Sequence, residues 1–293
     1  MRPKGMPATI VAHDGVPLRA TIYGSLQDAA TVVVINSALG IVHEFYAMFA
    51  SFLAARGHCV IAYDYRGNGL SSAGELRKVR AATISDWARQ DFSAVLAYVA
   101  EHSPGARIFC VGHSVGGQLL GLIADNNRVR GLLAVASQVG YWRLWQGVER
   151  WKAWFTFHVA IPILVRVFGY YPGSRLGMCD LPAGVALEWA RWCRSKHYIT
   201  DDSGIPMRDG FSAYRGRALF ISVYDDRQFA PRLAVQALCR YYRSAVSEHR
   251  HIESTDIGDR SVGHFGFFRK SQERTLWIPL ANWLEASAAP SKE

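Results

Sequence analysis

A single serine stands inside the glycine-rich segment 112–116 (GHSVG), and this segment constrains the fold more than any other. The residues before it, 106–111, form a short apolar run typical of a buried strand, and residues 118–124 indicate the start of a helix. Gly112 and Gly116 lack a Cβ, so a strand and a helix can approach closely around a strained residue. The pattern predicts that Ser114 lies on a sharp strand-to-helix turn, with its hydroxyl above the edge of a sheet.

Apolar segments typical of strands alternate with amphipathic segments along most of the chain. A hairpin is predicted over residues 8–24, and buried strands are predicted at 31–35, 59–63, 106–111, 131–136 and 218–223, with a short strand near His251. Helices are predicted at 44–56, 84–101, 233–243 and 273–287. Continuously apolar strands separated by helices predict a mostly parallel central sheet with helices on both faces, an α/β fold.

The alternation stops between residues 141 and 208, where helical segments occur without a convincing strand. Six of the nine tryptophans fall here. We expect residues 1–140 and 209–293 to form the core and residues 141–208 to form a helical cap insertion. Four aromatic residues of the insertion are candidates for lining an apolar acyl pocket or touching a membrane surface: Trp142, Trp145, Trp154 and Phe157. The alternative is that they only pack the helices onto the sheet.

A serine hydroxyl becomes a good nucleophile when a histidine takes its proton and a carboxylate orients that histidine. In the fold predicted above, the order along the chain is serine, acid, histidine. His264 lies in a loop of small residues before the last predicted helix, and Asp225 and Asp226 directly follow the strand at 218–223. Adjacent aspartates cannot both face one histidine. Asp226 is preferred as the acid, and Asp225 remains the alternative.

The negative charge that develops during attack on a carbonyl requires two backbone N–H donors. One is expected from Val115, which follows the serine. The other is expected from the loop after the strand at 31–35. Ala38 is the preferred second donor and Ser37 is the alternative.

The segment GHSVG, the loop at 64–71 (DYRGNGLS), Asp226 and His264 together resemble the α/β-hydrolase superfamily. The resemblance covers about residues 8–285 and is strongest to bacterial hydrolases of the serine aminopeptidase and monoglyceride lipase group. It implies the α/β-hydrolase fold, with Asp64, Arg66 and Gly67 shaping a loop beside the site without acting in catalysis. One departure is that Asn36 and Ser37 replace the usual His-Gly after the third strand.

These residues predict a serine hydrolase that cleaves a carboxylic ester through an acyl-enzyme, with no metal and no organic cofactor. One alternative is an acyltransferase that uses the same three residues, and another is a non-catalytic ligand-binding protein on the same fold. Peptide cleavage would need an acidic site for the substrate ammonium. The insertion offers five acidic residues as candidates for such a site: Glu149, Asp180, Glu188, Asp201 and Asp202.

Net charge and the distribution of histidine and cysteine indicate which classes of ligand and which compartment to expect. The net charge is +9, but the arginines are spread along the chain without a dense basic run, which disfavours nucleic-acid binding. His249 and His251 have no further ligands near them, so no metal site is expected. Five single cysteines favour reduced thiols in the cytoplasm.

The N-terminus has no apolar core, so no secretory signal is expected. The apolar stretch 153–168 is interrupted by His158, Pro162 and Arg166 and is expected to be too short to span a membrane. Membrane contact is the less favoured alternative, and the oligomeric state is left open.

Overall fold

An eight-stranded sheet forms the centre of the computed structural model, which describes residues 4–27, 29–72, 79–258 and 261–288. The strands are β1 (Met6–Val11), β2 (Pro17–Tyr23), β3 (Thr31–Asn36), β4 (Cys59–Tyr63), β5 (Arg107–His113), β6 (Val129–Val135), β7 (Arg217–Val223) and β8 (Val246–Ile252). Their order in the sheet is β1-β2-β4-β3-β5-β6-β7-β8. The β1–β2 and β2–β4 pairs are antiparallel and the remaining pairs are parallel. Each predicted strand is therefore present, and the sheet is mostly parallel.

The helices connect the parallel strands. They are α1 (Ala47–Ala55), α2 (Ile84–Asp86), α3 (Ser93–His102), α4 (Gly147–Phe155), α5 (Ile161–Phe168), α6 (Ala183–Arg194), α7 (Asp209–Ala213), α8 (Arg232–Cys239) and α9 (Ile278–Ala288). One-turn π-helical segments join α2 to α3 and α4 to α5, and a third precedes α9. Strands β3 and β4 are buried at every residue, which requires cover on both faces of the sheet. The prediction of an α/β fold with a doubly covered sheet is confirmed.

The segment after Ser114 differs from the prediction. Instead of a helix, two 3₁₀ turns, Ser114–Gly117 and Leu119–Leu122, lead into extended backbone at Ile123. Three glycines, at 116, 117 and 121, lower the helical propensity of this short connection. A Cβ on Gly121 would also overlap the ring of Phe211, so the chain passes too close to α7 to carry larger side chains there.

Helices α4, α5 and α6 lie between β6 and β7, and the described residues 141–208 contain no strand, only two isolated bridges. The π turn joins α4 and α5 into one helix, Gly147–Phe168, of 22 residues, and an 18-residue window of this helix has a mean hydropathy of 1.2. By length and composition alone this helix is able to cross a membrane, which corrects the expectation that the stretch is too short. Pro162 lies two residues after the π turn Thr156–Ala160, where the α-helical hydrogen-bond pattern already changes, so the proline does not end the helix. Only 17% of that 18-residue window is buried inside the protein.

Candidate active site

The backbone at Ser114 is strained. Its φ is +53°, in the left-handed region that is unfavourable for a serine, and it lies directly after β5. A Cβ on Gly112 would overlap the backbone of Gly117, and one on Gly116 would overlap the carbonyl of Asn36. The glycines therefore permit the close approach that forces the turn. Ser114 is 8% exposed, and it lines a cavity.

His264 lines the same cavity and is 7% exposed. Its Nδ1 lies 2.6 Å from Oδ2 of Asp226, and both groups are buried. The other oxygen of Asp226 accepts hydrogen bonds from the N–H groups of Phe229 and Ala230, at 3.2 Å each. The carboxylate is thus fixed by its own loop and fixes the imidazole in turn. Because Nδ1 is occupied by Asp226, Nε2 is the ring nitrogen available for chemistry.

Asp225 makes a different set of contacts. One carboxylate oxygen accepts from the Ser261 hydroxyl at 2.8 Å and the Val262 N–H at 2.9 Å, and the other accepts from the Gly263 N–H at 2.8 Å. These three donors belong to the loop that leads into His264. The two adjacent aspartates therefore hold different parts of that loop, Asp225 its backbone and Asp226 the imidazole.

A buried chain of hydrogen bonds connects the loop after β3 with the loop of His264. The Ala38 N–H donates to the Tyr46 hydroxyl at 2.9 Å, and this hydroxyl lies 2.8 Å from Nδ1 of His113. The other ring nitrogen of His113 lies 2.9 Å from the carbonyl oxygen of His264. Since a carbonyl can only accept, Nε2 of His113 carries the proton and Tyr46 donates to Nδ1. Burial holds the pKa of His113 well below its usual value, so the ring is neutral, as this arrangement requires.

This chain of hydrogen bonds bears on the predicted oxyanion donors. The Ala38 N–H is directed to Tyr46 rather than toward a substrate, so the geometry does not fit Ala38 in that role. The next residue, Leu39, also lines the cavity, and its N–H has no hydrogen-bond partner within the described part of the chain. The sequence does not single out Leu39, because aligning Asn36 and Ser37 with the usual His-Gly pair makes Ala38 the expected donor. The hydroxyl of Tyr46 that occupies the Ala38 N–H was not visible in a local pattern.

The cavity has an empty volume of about 810 Å³, part of it open to solvent, and is mostly apolar. Trp145 and Phe157 line it, as predicted for pocket residues, whereas Trp142 and Trp154 do not. Trp154 stacks on His158 with ring centroids 5.1 Å apart, and Trp142 packs edge-on against the same histidine. These two rings pack against His158 and are not part of the cavity lining, so a contact of Trp142 or Trp154 with substrate stays a prediction.

Further lining residues were not predicted: Leu39, Gln138, Met178, Trp189, Phe229 and Phe265. Phe265 follows His264 directly, and Phe229 follows Asp226 by three residues, so proximity to the proposed acid and base was the available signal. The rings of both pack on the imidazole of His264, at centroid distances of 4.9 Å for Phe265 and 5.0 Å for Phe229. Met178 and Trp189 reach the cavity through the fold of the insertion, for which no sequence signal exists.

Two histidine clusters lie outside this cavity. Ligand atoms of His43, Glu44 and Asp64 lie within 4.8 Å of one another, close enough for a metal ion. Asp64, however, already accepts the N–H groups of His43 and Leu70, at 2.8 and 2.9 Å, and so holds its loop. His249 and His251 both contact the buried Ser222 hydroxyl, at 2.8 and 2.7 Å.

The fold and this arrangement of residues define an α/β-hydrolase. The family model "Serine aminopeptidase, S33" matches residues 27–175, just over half of the 293 residues, and the chain belongs to this family of serine hydrolases. A comparison with curated proteins gave no match.

Solved structures agree in fold at low sequence identity. A soluble variant of monoglyceride lipase from Saccharomyces cerevisiae has a TM-score of 0.66 at 13% identity, covering 99% of this chain and 97% of that one. An esterase of Pyrococcus furiosus has a TM-score of 0.63 at 14% identity, covering 98% and 92%. An esterase from Exiguobacterium antarcticum has a TM-score of 0.60 at 15% identity, covering 96% and 100%.

Proposed function

We propose that the protein is a carboxylic ester hydrolase in which Ser114 is the nucleophile, His264 the general base and Asp226 the orienting acid. The observation that carries this proposal is the 2.6 Å contact between His264 and Asp226 at the cavity that also contains the strained Ser114. These groups come from the ends of β5 and β7 and from the loop before α9. A serine with φ of +53° has no structural benefit that would offset its strain, whereas a nucleophile on such a turn is exposed to substrate.

The reaction proceeds in two steps. His264 takes the proton of the Ser114 hydroxyl through Nε2 as the oxygen attacks the ester carbonyl. The tetrahedral intermediate collapses, the histidine returns the proton to the leaving alcohol, and an acyl-enzyme remains. Water then attacks the acyl group by the same proton route and releases the carboxylic acid. The Asp226 carboxylate stabilises the imidazolium that forms in each step.

Two backbone donors are proposed for the oxyanion. Val115 is the second residue of its 3₁₀ turn, so its N–H precedes the first hydrogen bond within that turn. Leu39 replaces Ala38 as the second donor because its N–H has no acceptor among the described residues and because it lines the cavity. Loss of one such donor costs about 3 kcal/mol of transition-state stabilisation.

The lining of the cavity supports an ester with an apolar acyl part. We propose residues 141–208 as a cap whose Trp145 and Phe157 contact that part, with α4 and α6 over the site. Among the described residues, Glu149 is the carboxylate that lines the cavity, and its Oε1 lies 2.7 Å from the Lys152 ammonium. A carboxylate already paired in this way is a poor site for a substrate ammonium, which disfavours aminopeptidase activity.

The proposal includes a reducing compartment, the cytoplasm. All five cysteines lie in the described part of the chain as free thiols, and Cys59 and Cys110 are buried in the sheet. Burial raises the pKa of the Cys59 thiol to about 11 and keeps that thiol protonated and unreactive.

A fluorophosphonate probe tests the nucleophile directly. We expect labelling of the wild type at Ser114, no labelling of Ser114→Ala, and reduced labelling of Asp226→Asn. Ser37→Ala is a matched control, because Ser37 is a buried serine whose hydroxyl has no proposed role and whose backbone N–H is kept in the variant. A panel of p-nitrophenyl esters of rising chain length, with an anilide control, then tests the substrate class. Hydrolysis of the anilide at a rate similar to the esters would contradict the proposal.

The same panel run in water–alcohol mixtures separates hydrolysis from acyl transfer. A hydrolase yields mainly the free acid, and an acyltransferase yields mainly the new ester. Labelled Ser114 with no product of either kind would favour a ligand-binding protein on this fold.

A further inference from the structure

Gln138 is a buried side chain that the fold does not use. The residue lines the cavity, is 4% exposed, and follows β6 at the sheet edge where Ser114 lies. Its Oε1 is buried and has no hydrogen-bond partner among the described residues. Buried amides are nearly always hydrogen-bonded, because an unpaired one loses its water without compensation.

The backbone that carries Gln138 is held in place on both sides. The preceding Ala136 has a φ of +49°, a strained value for alanine, and its N–H donates to Ile221 at 2.8 Å. The buried Gln118 donates through Nε2 to the Gln138 carbonyl at 2.8 Å. The Tyr198 hydroxyl in turn holds Oε1 of Gln118, at 3.1 Å. The strained backbone at Ala136 and the hydrogen bond from Gln118 thus fix the position of a residue whose own Oε1 has no partner.

Three other residues that line the cavity, Glu149, Lys152 and Gln228, carry a charged or amide side chain, and none of them is a buried group without a hydrogen-bond partner. Glu149 and Lys152 pair with each other across 2.7 Å. Gln228 also lines the cavity, but it is exposed, so water can satisfy its amide. Gln138 is therefore the amide for which a bound substrate supplies the missing partner.

We infer that Gln138 hydrogen-bonds a hydroxyl group of the ester substrate, so that the enzyme prefers hydroxylated esters over plain ones. This inference rests on the proposed function. An amide presents either a donor or an acceptor to the cavity, depending on its orientation, and a hydroxyl is complementary to both. The hydroxyl belongs either to the acyl part or to the alcohol part of the ester, and the experiment separates the two.

Two pairs of esters of similar size test the inference. The first compares p-nitrophenyl 3-hydroxybutyrate with p-nitrophenyl butyrate and examines the acyl part. The second compares 2-hydroxyethyl butyrate with propyl butyrate, by acid titration, and examines the alcohol part. For the wild type we expect kcat/KM for the hydroxylated ester to be about tenfold higher in one of the pairs, since a site built to bind a hydroxyl discriminates against its absence.

Gln138→Leu is expected to bring that ratio within about twofold of one, because leucine has a similar size and no polar group. In this variant kcat/KM should fall further for the hydroxylated ester than for the plain ester, whereas a purely structural role of Gln138 would lower both by the same factor. Gln138→Glu retains an acceptor and should retain a preference if the hydroxyl donates. Gln228→Leu is the matched control and should leave the ratio unchanged. Gln138→Met provides the same comparison if the leucine variant does not fold.

The inference is overturned if both ratios are near one in the wild type, or if Gln138→Leu keeps the wild-type ratio while plain esters still turn over. Absence of turnover of all four esters, together with absence of fluorophosphonate labelling at Ser114, contradicts the proposed function instead.

Discussion

Replacing Tyr46 by phenylalanine removes one oxygen atom from the centre of the buried chain that joins the two loops of the site. The hydroxyl accepts the Ala38 N–H at 2.9 Å and donates to His113 Nδ1 at 2.8 Å. His113 in turn holds the carbonyl of His264. We therefore expect Tyr46→Phe to affect both the free energy of unfolding and the position of the general base.

The effect on stability follows from the two groups that lose their partner. Each buried donor or acceptor left unpaired costs about 1 to 3 kcal/mol, so we expect a loss of about 3 kcal/mol in the free energy of unfolding. The entropy of unfolding is about 2.1 cal/mol/K per residue, or roughly 0.6 kcal/mol/K for 293 residues. The melting temperature should then fall by about 5 °C.

The effect on catalysis follows from the anchor on His264. A misplacement of about 1 Å in a catalytic group can cost about 100-fold in rate, and a partial loss of the anchor should cost about tenfold in kcat. This factor corresponds to about 1.4 kcal/mol in the activation free energy. KM should change little, because Tyr46 does not line the cavity.

The assay combines thermal unfolding with steady-state hydrolysis of p-nitrophenyl butyrate. Tyr214→Phe is the matched control. Tyr214 is buried, and among the described residues its hydroxyl donates one hydrogen bond, to the carbonyl of Arg217 at 3.3 Å. Arg217 lies at the start of β7, the end of that strand away from Asp226. The control should lose stability and keep kcat. If Tyr46→Phe also keeps kcat within twofold of the wild type while its melting temperature falls, the hydroxyl serves the fold alone and the argument is refuted.

Three further predictions follow from the same structure. Asp225→Ala removes the acceptor for three donors of the loop before His264 and should lower kcat/KM about tenfold while fluorophosphonate labelling persists at a reduced rate; unchanged kinetics would contradict the anchoring role. Phe157→Ala enlarges the cavity and should shift the preferred acyl chain to greater length, whereas Trp154→Ala, outside the cavity, should not; equal shifts in p-nitrophenyl ester profiles would contradict the lining. Burial and the neighbouring His251 lower the pKa of His249 to about 4, below its value of 6.5 when unfolded, so the unfolded state binds more protons between these values and stability should fall as the pH drops from 7 toward 4. His249→Gln should flatten this dependence of the urea midpoint on pH, and the exposed His13→Gln should leave it as it is.

The sheet could be predicted from the sequence because buried parallel strands require continuous apolar runs, and few other structures tolerate them. Each predicted strand is present, with ends that differ by a few residues. The two 3₁₀ turns that replace the predicted helix after Ser114 could not be predicted in the same way. The segment GHSVG indicates that a helix follows. The nearby Gly121, however, packs against Phe211, a residue 90 positions later, and such a contact has no local signature. Tertiary packing overrode the local pattern.

The candidate site shows the same division. The hypothesis of one site for Ser114, Asp226 and His264 depends on their positions after predicted strands. These positions can be predicted because the topology of the sheet brings the ends of parallel strands to one edge. Which tryptophans line the cavity depends on how the insertion packs. Trp142 contacts His158 edge-on and Trp154 stacks on it, neither lines the cavity, and nothing in their spacing distinguishes them from Trp145.

The two adjacent aspartates show why single-residue arguments from sequence remained open. A sequence offers Asp225 and Asp226 as competitors for one role, since both follow β7. Each carboxylate has two occupied oxygens: both oxygens of Asp225 and one oxygen of Asp226 contact the loop of His264, and the other oxygen of Asp226 accepts from its own loop. The loop of His264 is therefore fixed at three points: its backbone by Asp225, its imidazole by Asp226, and its carbonyl by His113. Because His113 precedes Ser114 in the chain, a movement of the turn at Ser114 also moves the anchor of His264, the proposed general base. Serine and histidine are thus held as one unit, and mutations at any of the three anchors should have effects on kcat that are not additive.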